Sequence, residues 1–460
     1  MESSTTSERR ELAFAGVARQ AELVRTGEVS PRELVETALE RIARLDLELN
    51  AFRVVFDERA LAEADQAAAR TRGAELPLLG VPIAVKDDMA VAGTPRVVGS
   101  NAHGPDETED CELVRLLRAA GAIVVGVART PELALWPFTE TAHGGATRNP
   151  WDLNVSPGGS SGGPAAAVAA GLVPASTASD GAGSIRVPAA CCGLFGLKVQ
   201  RGRVAIAPSR QVCAGLSVFG FLARTVGDTA LLYEVVTGKP YVAAAGREPD
   251  RLRIAMTTKI PPGAAARLKP AQRAAVEETA ELLRSLGHDV IERTPSYGLA
   301  GANITARYLA GSSLEADAMA HPERFEPRTR QILRAGRVAR RTMLRRALAA
   351  QESDGRRINR IFDDVDVVLS PTITRPPLQV GRYEGAGATR TFNAAAGFVA
   401  FNPVWNHIGN PAAAVPAGFD DHGLPLSVQI AGRPDGEETL LSLAHQLETA
   451  RPWAARPPVS

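Results

Sequence analysis

Residues 157–203 read PGGSSGGPAAAVAAGLVPASTASDGAGSIRVPAACCGLFGLKVQRGR, and this stretch decides how the rest of the chain is interpreted. Glycines flank Ser160 and Ser161 on both sides, so the backbone there can adopt positive φ angles and approach a ligand closely. Pro164 fits the first turn of a helix, the alanines after it are strong helix formers, and Gly171 is placed to end that helix. The stretch therefore predicts a glycine-rich loop that opens a short, buried helix.

A second turn of small residues follows. Residues 172–177 predict a short buried strand, and residues 180–186, DGAGSIR, predict a turn that leads into a short helix at Pro188. A serine at such a strand-to-helix turn has an exposed hydroxyl and several backbone N–H groups nearby, as an acyl-transfer nucleophile requires. From the spacing alone a phosphate or nucleotide loop and a purely structural turn stay open, although GxxxxGK[ST] is absent and the GAG triplet lacks the third glycine of a dinucleotide fingerprint.

The composition is that of a globular protein that acts on small molecules. The chain has 460 residues, 45% of them hydrophobic and 22% charged, which is enough for a sizeable core. A formal net charge of +1 gives no field for steering nucleic acid or a membrane surface, so neither is expected as a partner. The N-terminal MESSTTSERREL has no apolar region, and no stretch approaches about 18 uninterrupted apolar residues, so we expect a cytoplasmic protein.

The cysteines do not indicate a disulfide framework or a metal site. The chain has four, two of them adjacent at Cys191 and Cys192, and no CxxC zinc pattern occurs. We expect them to be small buried hydrophobic residues in a reducing compartment. No metal and no cofactor is expected.

Predicted strands and helices alternate along the chain. Residues 1–70 are expected to form a helical scaffold, with a capping box from Ser30 to Glu33. Between residues 323 and 346 nine arginines recur, which we interpret as a solvated, salt-bridged helix face rather than a surface for nucleic acid or a membrane. Strands are predicted at 80–85, 120–127, 251–256, 290–292, 365–369, 410–416 and 427–430, and helices at 111–119, 228–236, 270–286 and 437–448. This alternation predicts layered α/β architecture with parallel pairing.

Lys86 stands directly after the apolar run at 80–85. All seven histidines lie outside 157–203 and no GxSxG elbow is present, so the local sequence does not signal a Ser-His-Asp hydrolase. A neutral lysine amine can take a hydroxyl proton if burial pulls its pKa from about 10.4 toward 7. Asp87 and Asp88 would raise that pKa, so we expect them to point away or to be neutralised by other partners. A surface lysine whose stem packs on the protein is the alternative interpretation.

The motifs resemble those of the amidase-signature family. That family has a GGSSGG loop followed by D-x-[GA]-x-S-I-R-x-P, which GGSSGGPAAAVAAG and SDGAGSIRVPAACCGLFGLK match here. GVPIAVKDD resembles the family's lysine strand, and ATRNPWD, LSPT at 369–372 and the stretch 410–444 are also similar. The resemblance extends from about residue 30 to residue 450. Ala182 stands where the family usually has glycine, and Val199 where many members have proline; neither change removes a backbone donor from the turn at 180–186.

The resemblance implies a Ser-cisSer-Lys triad, with Ser184 as nucleophile, Ser160 as the bridging serine after a cis peptide bond, and Lys86 as base. The N–H groups of Gly181, Ala182, Gly183 and Ser184 would form the oxyanion hole. We assign a structural role to Asp180 and Arg186, as a pair that anchors the loop, and expect Ser161 to form a hydrogen bond within its loop.

The resemblance also implies the fold and the activity. We expect a single domain over residues 1–460, a three-layer α/β/α sandwich around a large mixed β-sheet, present as a monomer or homodimer. The expected function is hydrolysis of small-molecule amides, with esters, aryl amides and carbamates (urethanes) as open alternatives. A glutaminase subunit of a multi-subunit transamidation complex is the alternative of a different class.

The substrate pocket is expected to lie next to the glycine-rich loop. Residues 131–145, with Trp136 and Phe138, and the segment 392–405 are its expected lining, together with Gly158 and Gly159. The apolar character of these segments favours hydrophobic or aromatic substrates.

Overall fold

A computed structural model describes residues 9–70, 76–208, 211–453 and 456–460. Its first sheet has five strands in the order β1-β3-β2-β6-β8. β2 is parallel to both β3 and β6, whereas β1 and β8 pair antiparallel at the two edges. The strands are β1 (Phe52–Val55), β2 (Pro82–Lys86), β3 (Ile123–Ala128), β6 (Ala175–Asp180) and β8 (Val218–Ala223).

A second sheet has six strands in the order β10-β9-β11-β13-β12-β7. An isolated bridge between Phe195 and Ala223 joins the β7 region to the edge of the first sheet. β4 (Glu140–Thr141) and β5 (Gly145–Ala146) form a separate small hairpin. The six strands are β7 (Gly196–Lys198), β9 (Arg253–Met256), β10 (Asp289–Glu292), β11 (Val367–Pro371), β12 (Ala412–Phe419) and β13 (Pro425–Gly432).

Helices flank these sheets and connect most of the strands. Residues 9–14 are also helical. The named helices are α1 (Val17–Thr26), α2 (Pro31–Leu49), α3 (Asp57–Arg70), α4 (Glu112–Ala119), α5 (Gly162–Ala169), α6 (Arg186–Cys192), α7 (Val226–Thr237), α8 (Tyr241–Ala245), α9 (Pro270–Ser285), α10 (Ala300–Asp317), α11 (Pro327–Thr342), α12 (Leu344–Asn359), α13 (Ala388–Phe398), α14 (Pro403–Ile408) and α15 (Glu437–Ala450).

The central strands bury both of their faces. Ile83 and Val85 of β2 belong to one hydrophobic cluster, and Ala84 between them belongs to another. Because successive side chains of a strand point to opposite faces, this sheet has a packed layer on each side. Mixed sheets between layers of helix confirm the predicted α/β sandwich.

The local predictions hold where capping and burial are strong. The Ser30 hydroxyl accepts a hydrogen bond from Glu33 N at 3.1 Å, and Glu33 Oε2 accepts one from Ser30 N at 2.8 Å, so the capping box at the start of α2 is confirmed. The prediction that residues 1–70 are helical missed β1, a half-buried strand on the sheet edge, and residues 1–8 lie outside the described part. β6 begins three residues later than predicted, because residues 172–174 complete the turn after Gly171.

The arginine-rich segment forms α11 and α12, and its charged side chains are mostly exposed. Arg340 forms an exposed ion pair with Asp317 of α10 at 2.5 Å. The expected solvated face is therefore confirmed for the residues of these two helices. Within the described residues, the structure contains no helix long and apolar enough to cross a membrane.

Candidate active site

Two parallel strands bring the first polar side chains together. β2 and β6 are adjacent and parallel, so their carboxyl ends lie at the same edge of the sheet, where ligands of α/β folds bind. Lys86 is the last residue of β2, and Ser179 and Asp180 are the last two of β6. The turn at 180–186 follows β6 directly at this edge, and the glycine-rich loop reaches the edge through Ser160.

Lys86 is the centre of a buried cluster. Its side chain is 0% exposed, which contradicts the surface-lysine interpretation. The Lys86 Nζ atom donates hydrogen bonds to Ser160 Oγ at 2.9 Å and to Ser179 Oγ at 2.7 Å. It also lies 3.0 Å from Asp88 Oδ2, and Ser179 donates to the same oxygen at 2.5 Å. The expectation that Asp88 points away or is neutralised elsewhere is therefore wrong: two residues beyond Lys86, it turns back onto the amine.

Burial has the largest effect on the pKa of the Lys86 amine. Desolvation lowers the pKa of the amine from its usual value, and Asp88, followed by Asp180 and Asp87, raises it only in part. Asp87 is neutralised as expected, because Arg53 Nε donates to its carboxylate at 2.8 Å. Burial raises the pKa of Asp87 to about 6 despite that partner. The net effect favours a neutral lysine amine more than water would.

The glycine-rich loop presents Ser160 to this amine. The Gly159–Ser160 peptide bond is cis, as the resemblance implies, and Ser160 is 1% exposed. A Cβ atom on Gly159 would lie 2.5 Å from the carbonyl oxygen of Trp136, so only glycine fits at this point. The prediction for Ser161 is wrong: its hydroxyl donates to the Ser179 carbonyl at 3.4 Å, on β6 rather than within its own loop.

Asp180 and Arg186 form a fully buried pair across the second turn. Arg186 donates to Asp180 through Nη2 at 2.9 Å and Nε at 3.0 Å, and both side chains are 0% exposed. The guanidinium group of Arg186 also donates hydrogen bonds to Gln429 Oε1, Asn406 Oδ1 and the Asn402 carbonyl. Although burial raises the pKa of Asp180, the charge and hydrogen bonds of Arg186 outweigh it and hold that pKa well below its usual range. The pairing supports the predicted anchoring role.

We expect Asp180→Asn to lower the free energy of unfolding by about 3–5 kcal/mol, because it leaves the buried Arg186 charge without its counter-charge. Denaturant unfolding measures the change. The matched control is Asp317→Asn, which breaks the exposed pair with Arg340 and should cost about 1 kcal/mol or less. Equal losses for the two variants would contradict the anchoring role.

The backbone of the turn supplies hydrogen-bond donors. The Gly183 N–H group donates to Asp180 Oδ1 at 2.7 Å, so it is occupied and departs from the expected set of four donors. Within the described part of the chain, no hydrogen bond engages the N–H groups of Gly181, Ala182 or Ser184. Gly183 has a φ of +119°, which lets the chain reverse here. Three of the expected donors are thus free to bind a ligand oxygen.

Ser184 lies in the wall of two neighbouring pockets, here called the apolar lobe and the polar lobe. We define the apolar lobe by Trp136, Ile304, Phe392, Ala395 and Val399. We define the polar lobe by the polar side chains in its wall, Asp88, Arg96, Ser217, Ser312 and Glu315, which stand among apolar ones. Ser184, Ala182, Leu135 and Tyr308 line both lobes. Ser184 is half-buried, so its hydroxyl can be reached from the cavity.

The predicted pocket residues divide into lining and supporting ones. Trp136 and Gly159 line the apolar lobe. Phe138 lines neither lobe: it is 1% exposed and stacks behind Trp136, with their ring centroids 5.9 Å apart. Gly158 also lies outside the lining, with a φ of +83°. Placing Phe138 and Gly158 in the pocket wall was therefore wrong.

Sequence reasoning missed several residues of the site. The sequence indicates only weakly that Ser179 belongs to the site, through its position before Asp180 at the end of a buried strand. Tyr308 and Glu315, on α10, carry no such signal, because they lie more than a hundred residues from the signature segment and reach the cavity only through tertiary packing. The Tyr308 hydroxyl donates to the Leu135 carbonyl at 2.5 Å and so fixes the wall shared by both lobes.

Among the described residues, the cysteines are free thiols and the side chains that commonly bind metals do not form a metal site. Cys111, Cys191 and Cys192 are buried and free, as expected, whereas Cys213 is only half-buried. Among the described residues, no group of three or more His, Cys, Asp or Glu side chains is arranged to hold a metal ion.

Comparison with known proteins places this arrangement in a family. The amidase family model matches residues 33–441. The protein named "Putative amidase AmiB2" from Mycobacterium tuberculosis is 50% identical, over 97% of this chain and 98% of its own length. The 6-aminohexanoate-cyclic-dimer hydrolase of Pseudomonas sp. is 33% identical over 95% of each chain. A solved structure of 6-aminohexanoate cyclic dimer hydrolase complexed with substrate superposes with a TM-score of 0.87 and 30% identity, covering 97% of this chain and all of the other. The chain belongs to the amidase-signature family of amide hydrolases.

Proposed function

We propose that this protein hydrolyses small-molecule amides through an acyl-enzyme on Ser184, with Lys86 as the base that acts through Ser160. The observation that carries the proposal is the 2.9 Å contact between the buried Lys86 amine and Ser160 Oγ, in a cavity that Ser184 also lines. A neutral amine can accept the Ser160 proton along this contact, and Ser160 then takes the proton of Ser184.

The remaining steps use groups of the same cavity. The Ser184 oxygen attacks the amide carbonyl, and the negative charge that develops is bound by the N–H groups of Gly181, Ala182 and Ser184. Removing one such donor in comparable hydrolases costs about 3–4 kcal/mol. The proton then returns through Ser160 to the leaving nitrogen, the C–N bond breaks, and water hydrolyses the Ser184 ester. Esters, aryl amides and carbamates need the same steps, so we include them as candidate substrates.

A panel of substrates tests this proposal with the isolated chain. We expect turnover of an anilide and of a primary aliphatic amide, and faster turnover of the corresponding activated ester. The apolar lobe supports this choice, because its wall suits an aliphatic or aromatic acyl group. Glutamine hydrolysis that appears only with added partner subunits, together with no turnover of apolar amides, would favour the transamidation alternative.

We expect Asp88→Asn to shift the acidic limb of the pH profile of kcat/KM to lower pH. The Asp88 carboxylate, 3.0 Å from Lys86 Nζ, raises the pKa of that amine, so its loss lets the amine become neutral at lower pH. Asp180 and Asp87 also face Lys86, but they keep their arginine partners in the variant. Arg96 and Glu315 lie across the polar lobe and are unchanged.

The measurement is kcat/KM against pH for one amide in the wild type and in Asp88→Asn. Asp110→Asn is the matched control, since Asp110 pairs with Arg118 at 2.9 Å and has no contact with Lys86. An acidic limb that stays in place, or moves to higher pH, in Asp88→Asn would contradict the role of Lys86 as the titrating base.

A further inference from the structure

The cavity offers two chemically different places for the two halves of an amide. Ser184 and Ala182 lie at the junction of the apolar and polar lobes, so a carbonyl carbon at Ser184 has one lobe on each side. Each half of a bound amide would therefore extend into a different lobe.

The position of Ser160 indicates which half of the substrate lies in which lobe. Ser160 lines the polar lobe but not the apolar lobe, and Asp88 and Ser179 of the lysine cluster line the polar lobe as well. In the proposed mechanism the leaving nitrogen receives its proton from Ser160 and so must lie next to it. The amine half then extends into the polar lobe, and the acyl half extends into the apolar lobe.

Two carboxylates, Asp88 and Glu315, line the polar lobe beside Arg96, in a wall that also includes apolar side chains. Glu315 Oε1 accepts a hydrogen bond from Cys213 N at 2.9 Å, and no other donor among the described residues reaches this carboxylate. Arg96 is balanced by Glu107, to which its Nε donates at 3.2 Å. Burial raises the pKa of Glu315, Arg96 lowers it, and Asp88 across the lobe raises it further. A ligand that brings a hydrogen-bond donor would be stabilised by Glu315 without displacing a protein donor.

Asp88 supplies a second, independent observation. Its Oδ2 atom is occupied by Lys86 and Ser179, but its Oδ1 atom is buried and has no hydrogen-bond partner. A buried acceptor without a partner is unfavourable, so a donor that reached it would be stabilised. The wall of the polar lobe thus includes a carboxylate with one unpartnered oxygen, next to the relay that protonates the leaving amine.

We propose that the polar lobe binds the amine half of the substrate and selects amines that carry a second hydrogen-bond donor, while the apolar lobe binds an aliphatic or aromatic acyl group. This inference rests on the proposed function. The donor can be a hydroxyl or an ammonium group, and the two are distinguished by experiment. The substrate class is therefore an apolar acyl group joined to an amino alcohol or a diamine.

Three hexanamides that differ only in the amine test the inference: the N-butyl, N-(4-hydroxybutyl) and N-(4-aminobutyl) amides. We expect kcat/KM of the wild type for the two donor-bearing amides to exceed that for the butyl amide by about tenfold, the effect of one good charged or polar contact. Equal kcat/KM values for all three amides would overturn the inference and leave the proposed function standing.

Glu315→Gln separates the two kinds of donor. The variant keeps an acceptor oxygen for Cys213 N but removes the charge, so we expect the preference for the ammonium amide to fall to threefold or less, as about half of a charge-assisted bond is lost. The preference for the hydroxyl amide should persist. Asp317→Asn, on the exposed side of the same helix, should keep both preferences. An unchanged ammonium preference in Glu315→Gln would overturn the assignment of Glu315.

A separate variant tests whether the acyl half of the substrate lies in the apolar lobe. Val399→Thr places a hydroxyl in the apolar lobe with little change of shape, so the preference for hexanoyl over acetyl amides should fall severalfold. The preference among amines should not follow it. A fall in amine preference with no change in acyl preference would mean that the two lobes are assigned in reverse. No turnover of any of these amides by the folded wild type would contradict the proposed function itself.

Discussion

Ser184→Ala is expected to reduce kcat for amide hydrolysis by about 10⁴-fold or more, as loss of the nucleophile does in other serine hydrolases. Among the described residues, only Ser184 and Tyr308 line both lobes with a hydroxyl group, and the Tyr308 hydroxyl already donates to the Leu135 carbonyl. Ser160 cannot replace Ser184 directly, because Ser160 is 1% exposed and lines only the polar lobe of the two. Initial rates with an anilide measure the loss.

The control for this variant is Ser161→Ala. Ser161 lies next to Ser160 and is fully buried, but the only described hydrogen bond of its hydroxyl is the long 3.4 Å one to the Ser179 carbonyl. We expect its kcat to stay within about tenfold of the wild type, since the relay from Lys86 to Ser184 does not include it. A Ser184→Ala protein that retained most of its hydrolysis would show that the nucleophile is another residue.

Lys86→Ala is expected to reduce amide hydrolysis by about 10³-fold, within the range of general acid–base catalysis. For an ester with a good leaving group, the fold-loss of activity in the same variant should be smaller than the fold-loss for the amide by a factor of about ten or more. An amine leaves only after it receives a proton through Ser160, whereas a stable alkoxide or phenoxide leaves without one. The ratio of the two losses therefore reports the return of the proton rather than its removal.

Lys86→Met is a second variant that controls for disturbance of the fold by Lys86→Ala. Alanine at this fully buried position leaves a cavity that could disturb β2, whereas methionine preserves most of the side-chain volume. We expect the same amide-to-ester ratio in both variants, with circular dichroism confirming the fold. Equal losses for the amide and the ester would contradict the role of Lys86 as the group that returns the proton.

Much of the fold follows from local signals in the sequence. The capping box of Ser30 and Glu33, the apolar run before Lys86 and the proline that begins α9 each act over a few residues, and the structure confirms each of them. β1 was missed because Phe52–Val55 is a four-residue edge strand between two helices, and pairing with β3 rather than local propensity determines it.

The site was predictable where its residues are close in sequence or lie in a recognised motif. Lys86 and the turn at 180–186 lie at one edge of the sheet because β2 and β6 are parallel neighbours, and Ser160 reaches the same edge through its contact with Lys86. The contact of Asp88 with Lys86 depends on how the chain turns after β2, and the sequence contains no signal for that turn. The polar lobe depends on α10 packing over the signature segment, which only the tertiary structure provides.

The central claim is a covalent acyl-enzyme on Ser184, and mass spectrometry of the quenched reaction tests it most directly. After mixing with 4-nitrophenyl hexanoate and acid quenching, the wild type should gain the mass of one hexanoyl group, and peptide mapping should place it on Ser184. Ser184→Ala should gain no such mass under the same conditions. A hexanoyl group on another residue in the wild type, or an equal gain in Ser184→Ala, would contradict the claim.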